Sequence, residues 1–206
     1  MSSSSAPAWV TDLFCPILGV IITNIMWLSP LKAVRYASKW RDLGELNPIP
    51  FPLTFYNCIG WVIYGCLTKN YIIFWGNVFG ILTSVYYSLT CLLLCTLDEA
   101  KEDKYLKLIQ CSLLFSLLFW SIVGFVVGIV IEDKAMGNFI VGILSCIGGF
   151  FYYVSPLSTM LAVVKTRDSS SIDPRMVATN FCCACLWFFY SLFSINDPLV
   201  VGTYLR

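Results

Sequence analysis

Apolar residues in this chain come in long runs that are separated by short polar connections. An α-helix needs about 20 mostly apolar residues to cross a hydrocarbon layer of about 30 Å. Six runs approach or exceed that length, at 10–31, 51–68, 72–96, 107–131, 137–164 and 176–195. A further run at 198–205 has too few residues to cross. The pattern predicts an all-α membrane protein with six complete spans and an incomplete seventh helix.

Basic residues are concentrated in alternate connections, and this predicts the orientation of the spans. Lys69 and Lys134 are the basic residues of the second and fourth connections. The first, third and fifth connections contain Lys32, Arg35, Lys39, Arg41, Lys101, Lys104, Lys107, Lys165, Arg167 and Arg175. Because cytosolic connections are enriched in Lys and Arg, we expect these three in the cytosol and the N-terminus outside or in a lumen. The plasma membrane is the expected location, with a vacuolar or other endomembrane as the alternative.

Composition narrows the possible functions. Hydrophobic residues make up 58% of the chain, against about 45–50% in soluble proteins. A net charge of +1 leaves no basic field for nucleic acid. The chain has no histidine and no acidic residue well inside a span, so we expect neither an enzyme nor a cofactor or metal site. The ten cysteines lie in or beside the spans, and even Cys182-Cys183-x-Cys185 is expected to be a packed helix face.

The chain repeats itself after 126 residues. Residues 19–80 align with 145–206 without a gap, and 13 of the 62 positions are identical. The matches include proline, tryptophan and charged residues, which chance agreement between apolar helices does not explain well. They include Ser29-Pro30-Leu31 with Ser155-Pro156-Leu157, Lys39-x-Arg41-Asp42 with Lys165-x-Arg167-Asp168, Pro48 with Pro174, Trp61-x-x-Tyr64 with Trp187-x-x-Tyr190, Asn70 with Asn196, and Gly76 with Gly202.

The repeat divides the chain into three parts. We expect a first three-helix repeat at 10–96, a linker span at 107–131, and a second three-helix repeat with an incomplete third helix at 137–206. Because one span separates the repeats, both enter the membrane from the same face. Two parallel three-helix bundles related by an axis along the membrane normal are an architecture of transporters.

Prolines cluster at the cytosolic ends of the spans and predict hinges there. Proline inside a helix removes a backbone donor and kinks the helix. Pro30 and Pro156 occupy equivalent places in the first helix of each repeat, and Pro174 precedes the sixth span. The gapless alignment pairs Pro174 with Pro48, and Pro50 is the other candidate for the second hinge.

Polar and aromatic residues inside the spans predict a central binding site. Asn77 lies about one turn into the third span, and its amide suits a sugar hydroxyl. Trp61 and Trp187 stand at equivalent depth, where two indoles would offer flat apolar walls to a sugar ring. Asn57 and Asn180 are explained by hydrogen bonds between helices at least as well as by ligand contact. With no acidic residue well inside a span to relay protons, facilitated diffusion is expected.

The motifs at these positions resemble those of the SWEET sugar facilitators. The likeness rests on Ile49-Pro50-x-Pro52-x-Thr54-x-x-Asn57-Cys58, Trp61-x-x-Tyr64-Gly65, Tyr153-x-Ser155-Pro156-Leu157-Ser158, Val163-Val164-Lys165-Thr166, Trp187-x-x-Tyr190 and Asn196-Asp197-Pro198. The resemblance implies a bidirectional uniporter for a sugar such as glucose, working by alternating access between the repeats in a membrane-embedded homo-oligomer.

The resemblance also implies roles for individual residues. The family's substrate site maps onto Asn77, Trp187, Trp61, Met26, Tyr152 and Thr203. The outer gate maps onto Tyr64 and Asp197, and the hinges onto Pro30, Pro50 (or Pro48), Pro156 and Pro174. The bulk of Trp61, Trp187 and Tyr152 favours a monosaccharide over sucrose.

The end of the chain departs from the family pattern, and two other functions stay open. The family's seventh span carries a Pro-Asn-x-x-Gly motif, whereas here about eight residues follow Pro198 and span roughly 12 Å as a helix. One alternative is therefore a non-transporting truncated form that acts through oligomerisation. The other is a related carrier of amino or organic acids, which would be expected to show Pro-Gln dipeptides and buried acids.

Overall fold

The computed structural model describes residues 14–44, 46–97, 105–166 and 174–190, of which 153–166 and 174–180 are described by their backbone alone. These residues form helices and no strand, as the apolar runs predict. In chain order the helices are α1 (Cys15–Leu28), α2 (Leu31–Trp40), α3 (Pro50–Leu67), α4 (Tyr71–Cys95), α5 (Lys107–Phe125) with a π-helical turn (Val126–Val130) at its end, α6 (Lys134–Thr166) and α7 (Pro174–Tyr190). The predicted all-α class is confirmed, and the apolar run at 198–205 lies outside the described residues.

The first span is broken once and extends further than its apolar run. α1 ends at Leu28, and Ser29 and Pro30 keep right-handed helical dihedrals, with φ of −56° and −73°. Proline has no amide hydrogen to continue the helical ladder, so the helix is interrupted there. It resumes as α2, where the Val34 amide donates to the Pro30 carbonyl at 2.9 Å. Residues 32–40, expected to form a polar connection, are therefore helical.

The equivalent proline of the second repeat lies in a different setting. Pro156 falls within α6, which runs without a break from Lys134 to Thr166. The sequence predicts a kink at both prolines, whereas the described helices are interrupted at Pro30 alone.

Two helices begin at a proline, and a third is capped by an asparagine. Pro50 is the first residue of α3 and Pro174 the first of α7, a position where proline's missing amide hydrogen costs nothing. Asn70 caps α4, because its Oδ1 accepts from the amides of Ile72 and Ile73, each at 3.1 Å. These starts explain why α3 and α4 meet in a tight turn at 68–70.

The helices pack in a reciprocal arrangement. α4 lies against both α1 and α3, so these three form one bundle. Across the bundles, α1 packs on α7 and α3 packs on α6. In each case the first helix of one predicted repeat meets the second helix of the other. This is the contact pattern that a two-fold relation between the repeats requires.

α5 packs on the outside of α3. The indole Nε1 of Trp120 donates to the backbone carbonyl of Tyr56 at 2.9 Å. The Tyr56 ring lies against Trp120 and two phenylalanines of α5, Phe115 and Phe119, with ring centroids 5.3–6.2 Å apart. The rest of the exposed surface of α5 is mainly apolar, as expected for a helix facing lipid.

Among the residues that the structure describes, four helical runs are long and apolar enough to cross a membrane. They are Cys15–Trp40, Tyr71–Cys95, Lys107–Val130 and Lys134–Tyr152. α3 has 18 residues but is less apolar, since it carries Asn57, two prolines and several residues with small or hydroxylated side chains. Most of its surface is buried among α4, α5 and α6. A helix surrounded by other helices need not be as apolar as one that faces lipid.

Candidate functional site

Four aromatic residues that the repeat pairs with one another form a buried layer. Trp61 and Tyr64 of α3 and Trp187 and Tyr190 of α7 are each 7% exposed or less and belong to one cluster. Each Trp–Tyr pair is packed edge to face, with centroids 5.6 Å apart in α3 and 5.9 Å apart in α7. The two repeats therefore build the same local geometry from the same spacing. We call these four residues the aromatic layer.

A hydrogen bond links the two repeats beyond the aromatic layer, at the end of the bundle opposite the basic residues of α2. The Nδ2 of Asn70 lies 3.2 Å from the hydroxyl oxygen of Tyr190, which is 3.4 Å from Oδ1 of the same amide. This contact joins the start of α4 to the end of α7, and so joins one repeat to the other. Tyr64, the predicted gate residue, lies in the same region and is 3% exposed. Its predicted partner Asp197 lies outside the described residues.

Trp187 is held by a residue that the sequence alone did not single out. Its Nε1 donates to the hydroxyl of Thr23 on α1 at 2.8 Å, and that hydroxyl also lies 3.1 Å from the sulfur of Cys183. The indole lies over Gly76, where an added Cβ would sit 3.0 Å from the ring. The glycine is what permits this close approach, because any side chain there would meet the indole.

A cavity of about 180 Å³ opens on the other side of this layer, toward the basic end of the bundle. It brings together Met26 and Tyr152, two residues of the predicted substrate site, with the predicted hinges Pro30 and Pro50. Its described lining is Met26, Trp27, Ser29, Pro30, Pro50, Phe51, Thr54, Thr83, Ser84, Tyr87 and Tyr152. Every one of these side chains is uncharged.

The serine and threonine hydroxyls of the cavity all donate to backbone carbonyls. Ser29 donates to the carbonyl of Met26, and Thr54 donates to that of Pro50. Thr83 and Ser84 donate to carbonyls within α4, at 3.0–3.2 Å. Each hydroxyl oxygen keeps lone pairs that can accept a hydrogen bond. The cavity is therefore suited to a neutral ligand that donates hydrogen bonds.

Trp27 forms the floor between the cavity and the aromatic layer, and sequence reasoning missed it. Its Nε1 donates to the Gly76 carbonyl at 3.2 Å, and its own carbonyl accepts from the Tyr87 hydroxyl at 3.0 Å. Its ring meets the edge of Tyr152, with centroids 6.2 Å apart. A signal was present, because the 126-residue alignment pairs Trp27 with Tyr153, another aromatic residue.

The remaining predicted substrate residues lie away from the cavity. Trp61 and Trp187 are in the aromatic layer. Asn77 is half-buried on α4, and its Nδ2 donates to the Ile73 carbonyl at 2.9 Å. Asn57 is buried with an Oδ1 that accepts no hydrogen bond. Thr203 lies outside the described residues.

The prolines divide into cavity residues and helix starts. Pro30 and Pro50 line the cavity, whereas Pro48 is fully buried just before α3. Pro50 and Pro174 both occupy the first position of their helices. The position within the helix therefore pairs Pro174 with Pro50, although the gapless alignment pairs it with Pro48. In the part of the chain that the structure describes, no group of three or more potential metal ligands comes together.

Comparison with known proteins agrees with this arrangement. The profile of the family described as "Sugar efflux transporter for intercellular exchange" matches residues 14–99 and 139–203. The chain is 26% identical over 186 residues to "Sugar transporter SWEET1" of Drosophila pseudoobscura pseudoobscura, covering 88% of this chain and 76% of that protein. It is 26% identical over 187 residues to "Bidirectional sugar transporter SWEET7" of Arabidopsis thaliana, covering 89% and 70%.

The fold also matches a solved structure. A eukaryotic SWEET transporter superposes with a TM-score of 0.79 at 15% identity, covering 93% of this chain and 89% of that one. The chain is thus an integral membrane protein with the fold of that transporter. Because the family profile covers most of its length, the chain belongs to the SWEET family, whose members are sugar transporters rather than enzymes.

Proposed function

We propose that this protein is a facilitative transporter that carries a monosaccharide in both directions across a membrane. The observation that carries the proposal is the uncharged cavity that holds Met26 and Tyr152. Its hydroxyl oxygens can accept from the O–H groups of a sugar, and its described lining has no charge to neutralise a carboxylate or an ammonium. The names of the relatives, which are sugar transporters, support the same substrate class.

The size of the cavity favours one sugar ring over two. Its 180 Å³ corresponds to about six water molecules at about 30 Å³ each. The aromatic side chains of Trp27, Phe51 and Tyr152 narrow it on several sides. A disaccharide would need either Trp27 or Tyr152 to move away. Glucose is the representative substrate of the proposal.

Alternating access follows from the contrast between the two ends. The aromatic layer and the Asn70–Tyr190 contact close the far end, while the cavity lies toward the basic end. We propose that the repeats at 10–96 and 137–206 rock against each other, with the linker at 107–131 following the first repeat through its contact with α3. The reciprocal packing of α1 on α7 and of α3 on α6 supports this motion.

In the opposite state, a sugar would pass Trp27 and meet the residues that now form the layer. Trp61 and Trp187 would then face the sugar ring, and Asn77 and Thr203 would form hydrogen bonds with the sugar hydroxyls. Tyr64 and Asp197 would serve at the outer gate. The helix break at Pro30, the helix starts at Pro50 and Pro174, and a bend of α6 at Pro156 would serve as the hinges that close the cavity.

Location and orientation follow from the charges. We propose that the basic connections face the cytosol and that the N-terminus lies outside or in a lumen. The plasma membrane is the proposed site, with an endomembrane as the alternative. A homo-oligomer is the proposed assembly.

Flux measurements in transporter-deficient cells test the proposal. Radiolabelled glucose should enter and leave down its gradient, and sucrose should move far more slowly. Flux should stay the same between about pH 5.5 and 7.5 and in the presence of an uncoupler, because none of the described helices contains Asp, Glu or His. Proton-dependent flux of an amino or organic acid would replace the proposal with the related carrier. Absent flux together with assembly onto a full-length homologue would replace it with a non-transporting form.

A further inference from the structure

A stripe along α1 and α2 changes its chemistry abruptly at the helix break. Its α1 part is apolar and exposed, and its α2 part is aromatic and basic. The apolar members are Phe14, Ile17, Ile21, Ile25 and Leu28, each at least 40% exposed. The α2 members are Lys32, Arg35, Tyr36, Lys39 and Trp40, all exposed. Successive members are three or four residues apart along most of the stripe, so they share one side of the helix.

The apolar part covers about two thirds of the depth of the hydrocarbon core. Fourteen residue steps separate Phe14 from Leu28, which is about 20 Å at 1.5 Å per residue, whereas the core is about 30 Å thick. The first exposed cation, Lys32, follows Leu28 by one helical turn, and the interface aromatics Tyr36 and Trp40 follow it, which marks the boundary of the core near Leu28. α2 therefore begins where lipid headgroups begin.

α2 is anchored on one side only. Val34 and Ala37 are buried against α4, at 0% and 5% exposure. On the other side Tyr36 and Trp40 are 67% and 62% exposed, with ring centroids 6.1 Å apart. Exposed tyrosine and tryptophan are typical of the membrane–water interface, where an apolar ring and a polar group are both satisfied.

A groove lies between this side of α2 and the loop that follows. Its volume is about 740 Å³, and it is lined by Lys32, Ala33, Tyr36, Trp40, Leu43 and Leu46, with Ser29, Ala37, Asp42 and Gly44. The apolar side chains of this lining can pack against the glycerol ester of a lipid or the part of its acyl chain nearest the headgroup. Lys32 stands at one end, and Lys39 holds its ammonium 5.8 Å from the centre of the Trp40 ring.

None of the cations around the groove forms an ion pair with a carboxylate of the described residues. They are Lys32, Arg35, Lys39 and Arg41, of which Lys39 lies over the Trp40 ring and Arg35 interacts electrostatically with Tyr87. The described carboxylate on the groove, that of Asp42, accepts from the Gly44 amide at 2.9 Å. Four exposed cations beside two interface aromatics present a surface complementary to a negative headgroup.

We propose that this groove, which we call the α2 groove, binds an anionic glycerophospholipid of the cytosolic leaflet. The phosphate and any further headgroup anion lie against Lys32 and Lys39, and the ester region lies on Tyr36 and Trp40. The acyl chains continue along the apolar stripe of α1. The positive charges favour an anionic headgroup over a neutral one. The apolar stripe continues from the groove and gives the acyl chains a surface, which favours a lipid over a soluble anion.

Binding of a short-chain lipid to the purified full-length chain in a neutral detergent tests the proposal. Phosphatidylserine should bind, phosphatidylcholine should bind much more weakly, and the preference should shrink as salt is raised. The double variant Lys32→Gln/Lys39→Gln should weaken phosphatidylserine binding about thirtyfold, since each cation near the headgroup contributes about five- to sixfold. Trp40→Ala should weaken binding of phosphatidylserine.

Two controls separate this site from general electrostatic attraction. Lys69→Gln/Lys134→Gln removes the same charge from exposed lysines in the opposite connections and should leave phosphatidylserine affinity unchanged. Glycerophosphoserine, the same headgroup without acyl chains, should fail to compete with the lipid. Melting temperatures of both double variants should equal that of the wild type, because all four lysines are exposed.

Several outcomes would overturn the proposal. If phosphatidylcholine bound equally well, or if the two double variants lost the same affinity, the cations would be ordinary solvated residues and not a lipid site. Competition by glycerophosphoserine would make the ligand a soluble anion. A change in oligomer mass in the Lys32→Gln/Lys39→Gln variant, with no effect of lipid, would assign the α2 groove to a second copy of the chain.

Discussion

The two ends of the bundle use aromatic residues in opposite ways. At the far end, Trp61, Tyr64, Trp187 and Tyr190 are all buried and pack into one cluster between the repeats. At the basic end, Trp27 and Tyr152 stand at the edges of a cavity and leave its middle open. The difference lies in how the rings are supported. Gly76 leaves room for the Trp187 indole at the centre, whereas the helix break at Pro30 and the helix start at Pro50 line the cavity.

This contrast indicates which substitutions will act on transport and which on stability. Added bulk in the cavity has space to occupy, so it should block the substrate without disturbing the fold. Added bulk in the packed region has no space, so it should lower stability first.

The largest effect on transport is expected from Met26→Trp. The larger indole would project into the 180 Å³ cavity and narrow it, so glucose uptake should fall more than tenfold with little change in melting temperature. Ile25→Trp is the matched control, because Ile25 is 57% exposed on the apolar stripe of α1. Normal uptake in Met26→Trp would mean that the cavity is not on the path of the sugar.

Gly60→Ala is expected to have the next largest effect, on stability. The new Cβ would meet the ring of Trp120 and lie 2.5 Å from the Ser145 hydroxyl oxygen. Trp120 cannot retreat without losing its hydrogen bond to Tyr56, so the free energy of unfolding should fall by about 1–3 kcal/mol. Thermal unfolding in detergent measures it.

Gly124→Ala is the control for that experiment. A Cβ on Gly124 meets nothing within 4 Å, and alanine is the better helix former. Its melting temperature should therefore stay the same or rise slightly. If both variants lost stability equally, the close packing around Gly60 would not be the cause.

A smaller effect is expected from Trp187→Phe. An aromatic ring is kept, but the hydrogen bond to Thr23 and part of the buried indole are lost, which should lower stability by about 1–2 kcal/mol. If the indole faces the sugar in the opposite state, the KM for glucose should rise as well. Trp75→Phe, at a tryptophan that is 60% exposed, should change neither quantity. A KM that stays constant in Trp187→Phe would remove Trp187 from the proposed path.

The smallest effect is expected from Tyr190→Phe. Losing the contact with Asn70 should make the far end open more easily, by about 0.5–1 kcal/mol. Glucose exchange across the membrane should then speed up by about two- to fivefold if opening of this end limits the rate. The control is Tyr71→Phe, because Tyr71 is 72% exposed at the same end. Slower exchange would show that the contact assists opening rather than resisting it.

The residues of the candidate site that belong to repeated motifs were predictable from the sequence. Met26 and Tyr152 could be assigned to the substrate site because the resemblance to SWEET motifs maps that site onto them, one turn before each proline of the repeat. Thr23 could not be found in this way, because the alignment pairs it with Gly149. Its role comes from the packing of α1 on α7, which brings residues 164 positions apart within 2.8 Å. Local sequence contains no information on such a contact.

The two Ser-Pro-Leu motifs make the same point about the backbone. Both copies have the same three residues, yet the helix is interrupted at Pro30 and continuous through Pro156. Proline removes a hydrogen bond in both places, and the surrounding contacts decide whether the helix is divided there. Packing of Val34 and Ala37 on α4 holds α2 as a separate segment.

The sequence by itself determined the class of the protein, its helices and its repeat, because hydrophobic length, charge and proline act locally and recur after 126 residues. It also identified the four residues of the aromatic layer through their spacing. Only the tertiary structure decided that this layer is packed shut while the cavity lies beside Trp27, and that the basic residues after the first span continue it as a helix. Both features depend on which helices pack together and on the distance between them. That distance is set by glycine contacts and by hydrogen bonds between residues far apart in the chain.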